Sequence, residues 1–193
     1  MKDHLLARIL KRDYDGDETP FSEVERASIK FLRHQIYQHK VLRINYTTYD
    51  MRREQDSLNP WTHANIMVLA HDDCAAHPYW YARIIGMYHA LVIHPSSHDP
   101  IHMDFLWIRW YGADPDLRYK SGWKTRRLPR VGFVDDTDDG SPAFGFLDPM
   151  HVIRGVHLIP AFQDGLTDVL LEPSLARLPH EGDYDFCYYY VNM

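Results

Sequence analysis

The sequence predicts a mainly β fold with flanking helices, built as a small curved antiparallel sheet or a partly open barrel. Three observations predict it. At least five short runs rich in β-branched and aromatic residues are separated by Gly, Pro and Asp turns. Five Trp, 13 Tyr and 8 Phe supply the large side chains of a strand-rich interior. Apolar residues at 45% against 25% charged in a 193-residue chain suffice for one core.

Residues 1–12 read as a short helix, with Leu5, Leu6, Ile9 and Leu10 near helical spacing. DYDGDETP breaks it, so residues 1–20 form an N-terminal extension to a single domain over 21–193. Ser22 is a natural cap, Glu23 and Glu25 suit a first turn, and Val24, Ala27, Phe31 and Gln35 or Ile36 trace one stripe. This predicts an amphipathic helix over 22–39.

Strand periodicity follows. Leu42, Ile44, Tyr46 and Thr48 alternate with Arg43, Asn45 and Thr47. QDSLNPWTHA reads as a loop, NIMVLA as a short strand, and AHDDCAAHP as another loop. Trp80–Ile93 and His102–Gly112 are two long β-rich runs joined by the polar HPSSHDP, most simply a hairpin. Gly86 inside the first run predicts a bulge or bend.

Later elements are shorter. One or two strands are expected around Trp123 and Val131, another over Ala143–Leu147, and a helical turn over Pro149–Ile153 capped by Asp148. Further strands are expected over Gly155–Ile159 and Phe186–Val191. The last pattern stops abruptly at Met193, so the domain is expected to continue beyond it.

Cys74 and Cys187 are isolated; one disulfide between them is conceivable, but their separation favours free thiols in a reducing setting, nuclear or cytoplasmic. No run reaches the roughly eighteen apolar residues of a membrane span, so no membrane partner is expected. Formal charge is -6, unevenly distributed. Arg118, Lys120, Lys124, Arg126, Arg127 and Arg130 form a basic stretch and are the candidate nucleic-acid contacts.

Signatures of catalysis are scarce. His94, His98 and His102 are spaced by four, but Pro95 and Pro100 argue against a helix that would align them. His71 and His77 lie in an earlier loop, and neither HExxH nor paired CxxC occurs. The reading therefore assigns no metal, no cofactor and no tightly bound structural zinc. Asp135, Asp136, Asp138 and Asp139 resemble a calcium loop until the closing Glu, where Phe146 stands. Asp104 and Asp148 could serve a divalent-metal nuclease only by facing one cleft. No GxSxG elbow or phosphate-cradling glycine loop is present.

The aromatic residues Tyr79, Trp80, Tyr81, Trp107, Trp110 and Tyr111 are the candidate ligand-binding set. In a hairpin Trp80 approaches Trp110, and such a cluster could recognise a methylated ammonium. The order of Tyr81-Ala82-Arg83-Ile84 and Leu106-Trp107-Ile108-Arg109-Trp110-Tyr111, followed by Ala113-Asp114-Pro115-Asp116-Leu117, resembles the bromo-adjacent homology (BAH) domain. Longer phrases resemble a domain of proteins encoded within or beside transposons of mushroom-forming fungi. They are RINYTTYDMRREQDSLNP, HPYWYARIIGMYHA, FLWIRWYG, GFLDPMHVIRGVHLIPAF and YYYVNM, spanning most of residues 43–193. The resemblance implies a domain carried by mobile elements. The expected function is a non-catalytic binding module for a chromatin component or another protein, such as a histone peptide. Duplex DNA binding and a metal-dependent hydrolase or nuclease are the alternatives.

Overall fold

In a computed structural model, the structure describes residues 1–12, 21–48, 50–70, 78–114, 127–135, 142–171, 174, 176–177 and 181–192. Two helices come first, α1 (Lys2–Leu10) and α2 (Glu23–Ser28). Seven strands follow: β1 (Lys30–Phe31), β2 (Tyr37–His39), β3 (Leu42–Thr47), β4 (Arg53–Leu58), β5 (Asn65–Leu69), β6 (Tyr79–Ile93) and β7 (Ile101–Ala113). The rest are β8 (Arg130–Phe133), β9 (Phe144–Leu147), β10 (Val152–Gly155), β11 (His157–Pro160), β12 (Leu166–Thr167), β13 (Asp185–Phe186) and β14 (Tyr189–Asn192).

The architecture corrects the expected curved sheet or barrel. It is a mixed α/β fold with one large open antiparallel sheet of ten strands, ordered β10-β5-β6-β7-β8-β14-β11. The physical reason lies in the length of the central pair. At 15 and 13 residues, β6 and β7 outrun any single neighbour. β6 pairs with β5 through Tyr79–Arg83 and with β2 and β1 farther on. β7 pairs with β8 at one end and β9 in the middle. The sheet branches instead of meeting the fixed stagger that closure demands.

The β6–β7 register changes once. Ile84 faces Ile108, then Gly86 faces Trp107, leaving Ile85 as the extra residue of a bulge. Before it, Trp80, Ala82 and Ile84 share a face with Ile108 and Trp110; after it, Met87, His89 and Leu91 occupy that face with His102, Asp104 and Leu106. Gly86 lies on the opposite face, where an added Cβ would run into the Tyr88 ring.

Each face buries its own core. On the first, Ile66, Val68, Ala82, Ile84, Met87, Leu106 and Ile108 pack under the β3–β4 hairpin through Leu42, Ile44 and Leu58. On the other, Leu5 and Leu6 of α1 pack with Ala90, Val92 and Phe105. α1 therefore belongs to the core, within the stretch read as an extension. A third cluster gathers Tyr81, Tyr111, Phe133, Leu158 and Val191.

The helix expected over 22–39 is shorter than the sequence suggests. Ser22 and Glu25 form a reciprocal capping box, but the helix ends at Ser28. Ile29 is buried, and β1 and β2 turn to pair with β6 through residues 87–93. That length of β6 otherwise presents unpaired backbone groups, whose satisfaction outweighs helical propensity. Arg33 and His34 make the turn with positive φ. Val24, counted in the apolar stripe, is 82% exposed. Likewise, Gln55–Leu58, read as loop, belongs to β4, which Asn45–Gln55 and Tyr46–Glu54 side-chain bonds tie to β3.

A buried ionic clip holds the C-terminal segment to the sheet. Arg109 of β7 donates to Asp185 at 3.0 Å, and Arg177 pairs with the other carboxylate oxygen at 3.0 Å. All three side chains are at most 5% exposed, and the Arg109 guanidinium lies 3.7 Å above the Phe133 ring. Cross-strand from Arg109, Arg83 meets Glu181 at 2.5 Å.

Two substitutions test this account. Asp185→Ala strands two buried guanidinium groups and is expected to cost about 3–5 kcal/mol, read from urea unfolding. Gly86→Val is expected to cost about 1–3 kcal/mol because the bulge leaves no room for a side chain; an unchanged midpoint would contradict it.

Candidate functional site

Beyond the β3–β4 hairpin, the first face of the sheet is uncovered where β2, β6 and β7 lie side by side. Strand alternation places Tyr37 and His39 of β2 on it, since they pair with His89 and Met87. His89 in turn faces Asp104 across the hairpin. Three adjacent strands thus contribute His39, His89 and Asp104, whose ligand-capable atoms all lie within 4.8 Å of one another.

The geometry is specific. His39 Nε2 and His89 Nδ1 are 2.6 Å apart, a hydrogen bond in which one imidazole donates and the other accepts. Tyr37 stacks on one face of the His89 ring, with centroids 4.7 Å apart and planes 10° from parallel. His102 stacks on His89 as well, at 4.6 Å and 24°. His102 Nδ1 lies 3.6 Å from Asp104 Oδ2. The Tyr37 hydroxyl donates to Gln35 Oε1 at 2.8 Å, which fixes the outer ring of the column.

These contacts shape protonation. Partial burial lowers the His89 pKa from its ordinary value, and the neighbouring His102 and His39 lower it further, with Asp104 acting in the opposite sense. His89 is thereby favoured in the neutral form that donates a lone pair. His39, His102, Asp104 and Tyr37 are exposed, so the site is open on its solvent side.

The sequence-derived candidates fall elsewhere or divide. Tyr81 and Tyr111 are buried in the third core cluster, where Tyr79 also packs. Trp80 and Trp110 meet edge-to-face at 6.1 Å and pack against the first cluster, while Trp107 lies on the opposite face beside Phe144. The six aromatic residues therefore divide between two faces. Of the basic candidates, Arg118, Lys120, Lys124 and Arg126 lie outside the described residues. Arg127 and Arg130 line an open pocket of about 440 Å³ with Leu128, Gln163 and Tyr190. Arg130 is held there by Asp114 and Asp164 and stacks over Tyr188.

Among the histidines of the four-residue spacing, His102 joins the cluster, whereas His94 is buried and bonded to Ser96. His71, His77 and Cys74, with Asp136, Asp138 and Asp139, lie outside the described residues, and Cys187 is a free thiol. Asp148 caps Met150 and pairs with Arg8, while Arg8 reaches the Asp104 carbonyl and leaves its carboxylate to the histidines. His39 and His89 carry no motif in the sequence. Their signal is the pairing of His89 with Asp104 in a hairpin whose face switches at Gly86.

No protein-family model, curated protein or solved structure matches the chain.

Removing the outer ring provides a test. Tyr37→Ala uncovers one face of His89 and is expected to raise its pKa, because burial is the main cause of the depression. Tyr37→Phe is expected to leave it unchanged, and a titration of the imidazole proton resonances distinguishes the two.

Proposed function

We propose that the chain is a divalent-metal-dependent hydrolase whose ion is held by His39 Nε2, His89 Nδ1 and a carboxylate oxygen of Asp104. The observation that supports this reading is the convergence of one ligand-capable atom from each of these residues, within 4.8 Å of one another, from three strands onto an open surface. Two imidazoles and one carboxylate suit zinc and its first-row neighbours, and three protein ligands leave a position for water or substrate.

The side chains account for assembly. In the absence of an ion, His39 and His89 share one proton across their 2.6 Å bond. Binding an ion would require the proton between them to move to another ring nitrogen, so that both facing nitrogens could present lone pairs. His39 is exposed and on an edge strand, so its ring can make that adjustment. The Tyr37 and His102 rings hold the plane of His89, and His102 lies beside the Asp104 carboxylate. A bound divalent ion supplies Lewis acidity and lowers the pKa of water. Hydrolysis then adds the water oxygen to the electrophilic centre, and a proton from that water leaves with the departing group.

Calorimetric titration with Zn²⁺ is expected to show one site per chain in the wild type. His39→Ala, His89→Ala and Asp104→Asn should each weaken it by at least about tenfold. Affinity should also fall as pH drops into the histidine range, because protons compete for the same nitrogens. Metal-dependent cleavage of bis(p-nitrophenyl) phosphate, abolished by EDTA and restored by Zn²⁺, checks the chemistry. Zinc binding indifferent to all three substitutions refutes the proposal.

A further inference from the structure

We infer that the substrate of this site is a single-stranded nucleic acid whose phosphates run along the β1–β2 edge past Lys30, Arg33 and Lys40; the inference rests on the metal-dependent hydrolase reading above. Between Ile29 and Thr48 the sequence has Lys30, Arg33, Lys40 and Arg43 and no Asp or Glu. All four are exposed. Elsewhere Arg8, Arg26, Arg83, Arg109, Arg130 and Arg177 each lie against a carboxylate. The edge cations have no such partner among the described residues, so they remain available to an external anion.

Their positions flank the proposed metal ligands. Lys30 pairs with Ile93, which strand alternation places on the same face as His89. Four residues of β6 separate the two, about 13 Å at about 3.3 Å per residue. Arg33 lies in the turn joining β1 to β2, and Lys40 directly follows His39. A row of cations thus passes the site along one edge. The net charge of -6 does not cancel this row, since charges farther than about 8 Å are largely screened at physiological salt.

The rings favour a single strand over a duplex. Tyr37, His89 and His102 form a column across three strands, and Tyr37 and His102 at its ends are exposed. Such ends accept the face of an unpaired base, which a duplex keeps within its own stack. The chemistry is compatible with phosphodiester hydrolysis. The water oxygen bonds to phosphorus and the P–O bond to the leaving sugar oxygen breaks. One water proton goes to that oxygen and the other stays with the new phosphate monoester or passes to solvent.

Fluorescence anisotropy with a labelled single-stranded DNA, the RNA of the same sequence and the corresponding DNA duplex tests the inference on zinc-loaded protein. Single strands are expected to bind, with a log–log salt slope of about -2, the value for three phosphates at about -0.7 each. The triple substitution Lys30→Ala, Arg33→Ala and Lys40→Ala should weaken binding at least about tenfold and flatten that slope, with Zn²⁺ affinity unchanged in calorimetry. Tyr37→Ala should weaken binding while leaving the slope as it was, because stacking carries no counterion release. Absence of strand binding by a zinc-binding wild type overturns the inference, as do equal affinity in the triple variant and tighter binding of the duplex. Failure of zinc binding in the wild type refutes the metal site alone. Strand binding that persists there and is lost in the triple variant still supports the cationic edge.

Discussion

The register of β6 against β7 is the constraint on which everything else depends. Eleven residue pairs and one bulge set which side chains face which way along both strands. Without the extra residue at Ile85, strict alternation would send His89 to the face covered by α1, away from Asp104. The same step lets Met87 and Leu106 continue the first core cluster directly up to the histidines. One backbone irregularity thereby joins a dry interior to a polar strip on a single surface.

The two faces of this hairpin use charge in opposite ways. On one, Arg109, Asp185 and Arg177 are shut away from water, and the clip adds to the β12–β13 and β14 pairings that hold the C-terminal segment. Removing charges from water is expensive, so such a group contributes position more than net stability. On the other face, His39, Asp104 and His102 keep their solvent contact, and only His89 gives up part of it. Exposed donors keep their lone pairs cheaply and can rearrange around a ligand.

Much of the central architecture was legible in the sequence, and the reasons are local. Trp80–Ile93 and His102–Gly112 are β-rich over enough residues to leave no competing pattern, and Ser22 and Asp148 are caps whose bonds form within a few residues. Residues 29–39 are not legible in this way, because Val24, Ala27 and Phe31 fit a helical stripe equally well, while the need of β6 for an edge partner is not written in their spacing. Openness of the sheet is illegible for a related reason, since recruitment of different neighbours by the two ends of β6 is a property of the whole sheet. The site was less legible still. Regular spacing drew notice to His94, His98 and His102, whereas the cluster takes its donors from positions 39, 89 and 104. Only the hairpin register, with its switch at Gly86, connects two of these, and nothing near His39 announces the third.

β2 is held to the sheet by three residue pairs, among the weakest attachments of any element in the large sheet. It also carries one of the three proposed donors. A metal ion bound there would tie a short edge strand to the two longest strands of the molecule, so occupancy and edge order become thermodynamically linked. Peeling of β2 would release the ion, and loading would suppress the peeling. Lys30 is held separately through β1, whereas the stretch that presents Arg33 and Lys40 hangs from that same attachment. Its rigidity would then rise and fall with metal supply, making the cation a gauge of whether the edge is ready to engage a polyanion.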